Sequence, residues 1–142
     1  MPRSVHPFST FIAACWGSKM PIEKHEIKVS TTGGDASATG STVLALPLCE
    51  LVAVYCDFHA TAPASTDTTI SSPGNPAALT LLTITNSATD GWYYPTVQKD
   101  NNAGAAITGD YAQPVIHGNL SISLAGSNAL TDALVATVYV RT

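Results

Sequence analysis

Residues 133–141 read ALVATVYVR, and the alternation within that stretch decides the fold. Leu134, Ala136, Val138 and Val140 fall on one side of an extended chain and Val135, Thr137 and Tyr139 on the other, because successive side chains of a strand point to opposite faces. A run this rich in β-branched residues favours a strand over a helix. The stretch before it, Gly118 to Leu124, repeats the period with Leu120, Ile122 and Leu124 inward. Leu79 to Thr85 sets Leu79, Leu81, Thr83 and Thr85 against Thr80, Leu82 and Ile84 without a breaker, which predicts a core strand. Towards the front, Ile27, Val29 and Thr31 alternate with Glu26, Lys28 and Ser30, and Ser41 to Leu48 alternates Val43 and Ala45 with Leu44 and Leu46. Pro47 disfavours any helical continuation there. Glu50 to Ala60 is apolar on both faces in its first half. There Leu51, Ala53 and Tyr55 oppose Val52, Val54, Cys56 and Phe58, the pattern of a strand covered on two sides or packed at a subunit contact.

Turn chemistry separates these runs. Gly33-Gly34-Asp35 ends the first, and Asp90-Gly91 predicts a type I′ hairpin leading into Trp92, Tyr93 and Tyr94. Pro95 makes that next strand an edge or bulged one. Residues 61–78 read as a loop around a small strand, Thr68 to Ile70, and Gln98 to Ala112 as a polar, Gly- and Asn-rich contact loop. Asn128 to Leu134 has room for one helical turn. The expected strands are 24–31, 41–48, 50–59, 79–86, 92–98, 116–124 and 133–141. Seven or eight strands with no amphipathic helix predict an all-β fold, an antiparallel β-sandwich or jelly roll over residues 22–142. Residues 1–21 carry three prolines and no lasting period, and read as an extended N-terminal arm. Its Phe8, Phe11, Ile12 and Trp16 need cover from a domain or a partner, and the stretch Pro2 to Trp16 is expected to be ordered only in the assembled state, with Phe8, Phe11, Ile12 or Trp16 on a neighbouring subunit. Met20 is an alternative start. Arg3 ahead of Phe11 to Trp16 resembles a signal peptide in outline, but Pro2, Pro7, Ser9 and Thr10 interrupt the apolar stretch and no small-x-small site follows, so the segment is expected to be retained.

The 142 residues suit one domain. Charged residues make up 11% of them, well below the usual quarter, while Ala, Thr, Ser and Gly fill 61 positions. Such a mix suits tightly turned β-structure, supplies few catalytic groups and leaves little charge to keep copies apart. A formal charge of −4 argues against a nucleic-acid partner held through phosphates. The apolar windows around Val43 to Val54 and Leu79 to Ile84 fall short of the ~20 residues of a membrane helix. Cys15, Cys49 and Cys56 have no metal-ligand spacing, and the odd separation of Cys49 and Cys56 places them on opposite faces of one strand, so all three are expected as free thiols in a reducing cytoplasm.

Few constellations carry chemistry. Asp57-Phe58-His59 puts a carboxylate and an imidazole on one strand face, yet a third ligand would have to come from His117 or His25, and a strand-end contact is the commoner meaning. No Gly-x-Ser-x-Gly elbow fixes a nucleophile. Gly33-Gly34-Asp35 lacks the strand-to-helix context of a phosphate loop, and Asn119-Leu120-Ser121 matches the glycosylation sequon at the start of a strand, where it is expected to be accidental. The trio Trp92, Tyr93 and Tyr94 offers ring faces for a sugar or, more commonly, for core or interface packing. No catalytic residue, metal or cofactor is expected.

The order IKVSTTGGDASATGST, then ELVAVYCDFHATAPASTDTTI, then TNSATDGWYYPTVQKDNNAGAAITGDYAQPVIHGNLSISLAGSNALTDALVATVYV resembles the capsid decoration, or cement, proteins of tailed bacteriophages. Its most particular features are Asp90-Gly91-Trp92-Tyr93-Tyr94-Pro95 and the terminus from Asn128 to Val140; the segment before Met20 lies outside it. The resemblance implies a non-enzymatic structural virion protein made in the host cytoplasm. It would sit on the capsid exterior, bind the major capsid protein and form a homo-oligomer, often a trimer. The alternative reading is a carbohydrate-binding or tail-fibre module of the virion using Trp92 and Tyr94.

Overall fold

The alternation of residues 133–141 becomes a strand with one fully shielded face at the centre of a sheet. In the computed structural model, which describes residues 21–74 and 77–142, the strands are β1 (Ile22–Val29), β2 (Ala38–Ala45), β3 (Cys49–Phe58), β4 (Asp67–Ser72), β5 (Leu79–Ile84), β6 (Gly91–Tyr93), β7 (Val97–Asp100), β8 (Ala106–Ala112), β9 (Val115–Ile116), β10 (Asn119–Ser127) and β11 (Leu134–Arg141). All pair antiparallel, and no helix occurs among the described residues. One sheet runs β1-β11-β3-β6, with β9 also on β3; a second runs β2-β10-β4-β5; β7 and β8 pair only with each other. The inward rows of both large sheets, among them Ile27, Val29, Leu51, Val54, Ile70, Leu120, Ile122, Val138 and Val140, form one core. Phe8, Phe11, Ile12 and Trp16, expected on an arm, and Cys15 lie outside the described residues.

β3 departs most from the expected pattern. Tyr139 pairs with Ala53 but Val140 pairs with Leu51, so Val52 is an extra residue, a β-bulge. The bulge resets the alternation and brings Cys49 and Leu51 onto the same core face as Val54, Cys56 and Phe58. Cys49 and Cys56 are therefore not on opposite faces. They remain free because seven residues of one strand hold them ~20 Å apart, far beyond the span of a disulfide.

Asp90-Gly91 is not a type I′ turn, since neither residue has a positive φ and the strands it was expected to join lie in different sheets. The reversal falls on Asn86 (φ 50°), whose N–H donates to Asp67 Oδ1 at 2.8 Å, while Asp90 Oδ1 accepts from the Phe58 N–H at 2.7 Å and fixes the crossing chain to the end of β3. Pro95 splits the expected strand 92–98 into β6 and β7. Residues 98–112, expected as a loop, pair back on themselves as the β7–β8 hairpin, with Gln98 opposite Tyr111. β5 lies at the edge of its sheet instead of in the core: only Leu81 and Ile84 are buried. The small strand at Thr68 to Ile70 extends over six residues and lies between β10 and β5.

Candidate functional site: an aromatic sheet face

Residues that point away from the core define the outer faces of the two large sheets, and these faces differ in chemistry. Across β2, β10, β4 and β5 the register aligns Ser41, Ser123, Thr69 and Thr83 in one row and Val43, Ser121, Ser71 and Thr80 in the next. Seven of those eight side chains are hydroxyls, which water solvates readily. Across β1, β11, β3 and β6 the corresponding row is Glu26, Thr137, Tyr55 and Trp92, flanked by Tyr139 opposite Lys24. This second face carries the aromatic residues.

Trp92 is the centre of that cluster. Its ring lies 5.1 Å from Tyr55, 5.7 Å from Tyr139 and 6.4 Å from Tyr94, centroid to centroid, and is nearly parallel to Tyr94 at 14°. These separations lie in the range where aromatic pairs attract. The cluster is not covered: Trp92 is 51% and Tyr94 68% exposed. Strand alternation divides the Trp92-Tyr93-Tyr94 trio. Tyr93 pairs with buried Val54 and packs against the core, where burial first and the neighbouring Cys56 second raise its phenol pKa above the ordinary value. Tyr55 and Tyr139 complete the patch although they stand far away in sequence. Their outward parity was the signal for them; the pairing that brings them to Trp92 was not available from the sequence.

Farther along the same face is an open groove of about 250 Å³, lined by Leu48, Cys49, Glu50, Val115, Arg141 and Thr142. Leu48, 67% exposed, and Val115, 37% exposed, supply its apolar walls. Arg141 Nη1 donates to Glu50 Oε2 at 3.1 Å and to Gln113 Oε1 at 3.0 Å, which holds the guanidinium in place at the rim. At the opposite end of the sheets, the loops are tied together by polar bonds, such as Thr31 Oγ1 to the Asn128 carbonyl at 2.5 Å and the Ala36 N–H to Asn128 Oδ1 at 2.9 Å. None of the exposed large apolar side chains lies in those loops.

The other candidates separate. Asp57 and His59 are both exposed, and His59 Nδ1 serves its own turn by accepting from the Thr61 N–H at 3.2 Å. His25 Nε2 lies 3.3 Å from Glu23 Oε2. Among the described residues no three His, Cys, Asp or Glu side chains come together as a metal site, and no helix is long and apolar enough to cross a membrane. Cys56 is fully buried; desolvation, reinforced by the charge of Asp90, pushes its thiol up to about 12. Burial, with Glu23 as the second cause, also raises Cys49. These thiols sit protonated in the core, which is the opposite of an activated nucleophile.

No protein-family model, curated protein or solved structure matches the chain.

Proposed function

We propose that this chain is a structural virion protein that decorates and stabilises a tailed-phage capsid from outside, binding between major capsid protein subunits as a homo-oligomer, most simply a trimer. In this reading the two large sheets are the layers of a jelly-roll β-sandwich and residues 1–21 are an extended arm. The reading assigns the protein no reaction, metal or cofactor, and no contact with nucleic acid or membrane. It rests on the resemblance of the sequence, and the observation that carries it is the outer face of the β1-β11-β3-β6 sheet, where Tyr55, Trp92, Tyr94 and Tyr139 form an exposed cluster. Exposed Trp and Tyr at the centre of a patch are the side chains that most often carry protein–protein binding energy. A protein that binds only the assembled shell stabilises it by mass action, and modest contacts repeated over a lattice add up.

The experiment compares capsids with and without the protein under heating or low salt. Coated capsids should retain DNA at temperatures where bare ones release it; equal retention removes the cementing role. A second reading, glycan binding, is favoured by the nearly parallel Trp92 and Tyr94 rings, since sugars stack on such faces. Saturable binding of a glycan that is lost in Trp92→Ala, without binding to capsids, would select it.

A further inference from the structure

The groove beside Arg141 lies where the N-terminal segment joins the domain. Ile22 pairs with Arg141, and the Thr142 N–H donates to the Pro21 carbonyl at 3.2 Å, so the chain enters β1 at the rim of the groove. Twenty residues precede that point, among them Phe8, Phe11, Ile12 and Trp16. Trp16 stands five positions before Pro21, and at ~3.3–3.6 Å per extended residue it reaches at most ~18 Å from it. The lining chemistry suits an indole better than a phenyl ring. Leu48 and Val115 offer apolar walls, the Arg141 guanidinium can lie over a ring face, and the Glu50 carboxylate can accept the indole N–H. A tether this short gives the chain's own tryptophan a high effective concentration at the groove.

We propose that the groove formed by Leu48, Glu50, Val115 and Arg141 is the seat of the same copy's N-terminal segment, with Trp16 as the anchoring side chain. The assignment is independent of what the aromatic face binds. Seating Trp16 there removes the exposed Leu48 and Val115 from water and gives the segment's tryptophan a place within its own domain. Phe8, Phe11 and Ile12 then start from a fixed root.

The test uses bimane, a fluorophore quenched by contact with tryptophan, on a cysteine introduced at the exposed Pro47, beside the groove wall, in the full chain carrying Cys15→Ser. Cys49 and Cys56 are buried with raised pKa values, so labelling selects the new thiol. Emission should be low and independent of protein concentration, rise severalfold in Trp16→Phe, and rise likewise in Leu48→Asp, a change at an exposed position that leaves the core untouched. Circular dichroism verifies that each variant is folded. Equal emission with and without Trp16 overturns the proposal, as does quenching that survives Leu48→Asp. Quenching that appears only when labelled Trp16→Phe chains are mixed with unlabelled chains retaining Trp16 overturns it in favour of a segment exchanged between copies.

Discussion

Thr68 sits on the inward face of β4 with its Oγ1 shielded from water and without a hydrogen-bond partner. A buried hydroxyl left unpaired costs ~1–3 kcal/mol, and Val has nearly the same shape. Thr68→Val is therefore expected to stabilise the fold by about 1 kcal/mol, raising the thermal midpoint by roughly 4 °C; an unchanged or lower midpoint would mean that the hydroxyl is satisfied. Cys56 gives a prediction in pH. Its pKa of about 12 exceeds the ordinary 9.0, so between these values the folded chain holds a proton that the unfolded chain has released. Folding stability from this thiol is fully present below about pH 9 and declines as pH rises towards 12. Denaturant titrations at pH 8 and pH 10.5 should show that loss, and Cys56→Ala should reduce the difference. At pH 8, alkylation of the folded protein should leave Cys49 and Cys56 unmodified.

At the scale of elements, close approach and separability are both open to test. β2 passes so near the end of β1 that a Cβ on Gly40 would collide with the Ser30 carbonyl, which is backbone and has no rotamer by which to retreat. Gly40→Ala should cost about 1–3 kcal/mol or more in a urea melt. The β7–β8 hairpin is the opposite case. It pairs with neither large sheet, its residues are mostly exposed, and Val97 faces Ala112 at its base, so its two ends are neighbours. A two-stranded hairpin is marginal alone in water. Replacing residues 98–111 by a short turn should leave the thermal midpoint within a few degrees, and the hairpin amides should exchange hydrogen far faster than those of β11. A collapse of the fold on excision would show that the hairpin supports the sheets. The same elements show what the sequence discloses. β11 alternates over its whole length, β10 from Asn119 to Leu124 and β1 over its second half, and each was legible because that two-residue period lies over a half-buried surface; the irregularity that follows Leu124 in β10 lies beyond the stretch that was read. The two faces of β3 were misassigned because one bulge residue, Val52, leaves no mark in a pattern of uniformly apolar side chains. The Asp90-Gly91 turn failed because tertiary context uses Asp90 as an acceptor for Phe58 across 32 positions, overriding the local preference of the dipeptide. The β7–β8 hairpin was hidden because its pairing buries little, and burial is what writes periodicity into sequence.

For the whole molecule, the decisive contrast lies between its two outer sheet faces. Rows of Ser and Thr on one face suit contact with water, whereas the other joins the Trp92 cluster to the Arg141 groove along adjacent register rows of β11. With only 11% charged residues, the surface has few ion pairs to direct binding, and those such as Lys28–Asp132 at 3.4 Å and Lys99–Asp110 at 3.0 Å are solvent-exposed and worth little. Under the proposed docking role, specificity would come from shape and from aromatic burial. Trp92→Ala and Tyr94→Ala both leave the inward rows intact; Tyr94→Ala should shift stability by less than about 1 kcal/mol, whereas Trp92→Ala, which loses three ring contacts, should cost ~1–3 kcal/mol without unfolding the domain. If the aromatic face is the docking surface, the same changes should weaken binding to capsids by ~2 kcal/mol or more, some thirtyfold in dissociation constant. Ser123→Ala and Thr69→Ala on the hydroxyl face are the matched controls and should leave binding unchanged. Sedimentation of labelled variants with purified shells measures both sets. Equal losses on the two faces would show that binding does not reside in the aromatic cluster, and losses confined to the hydroxyl face would transfer the docking surface to β2-β10-β4-β5.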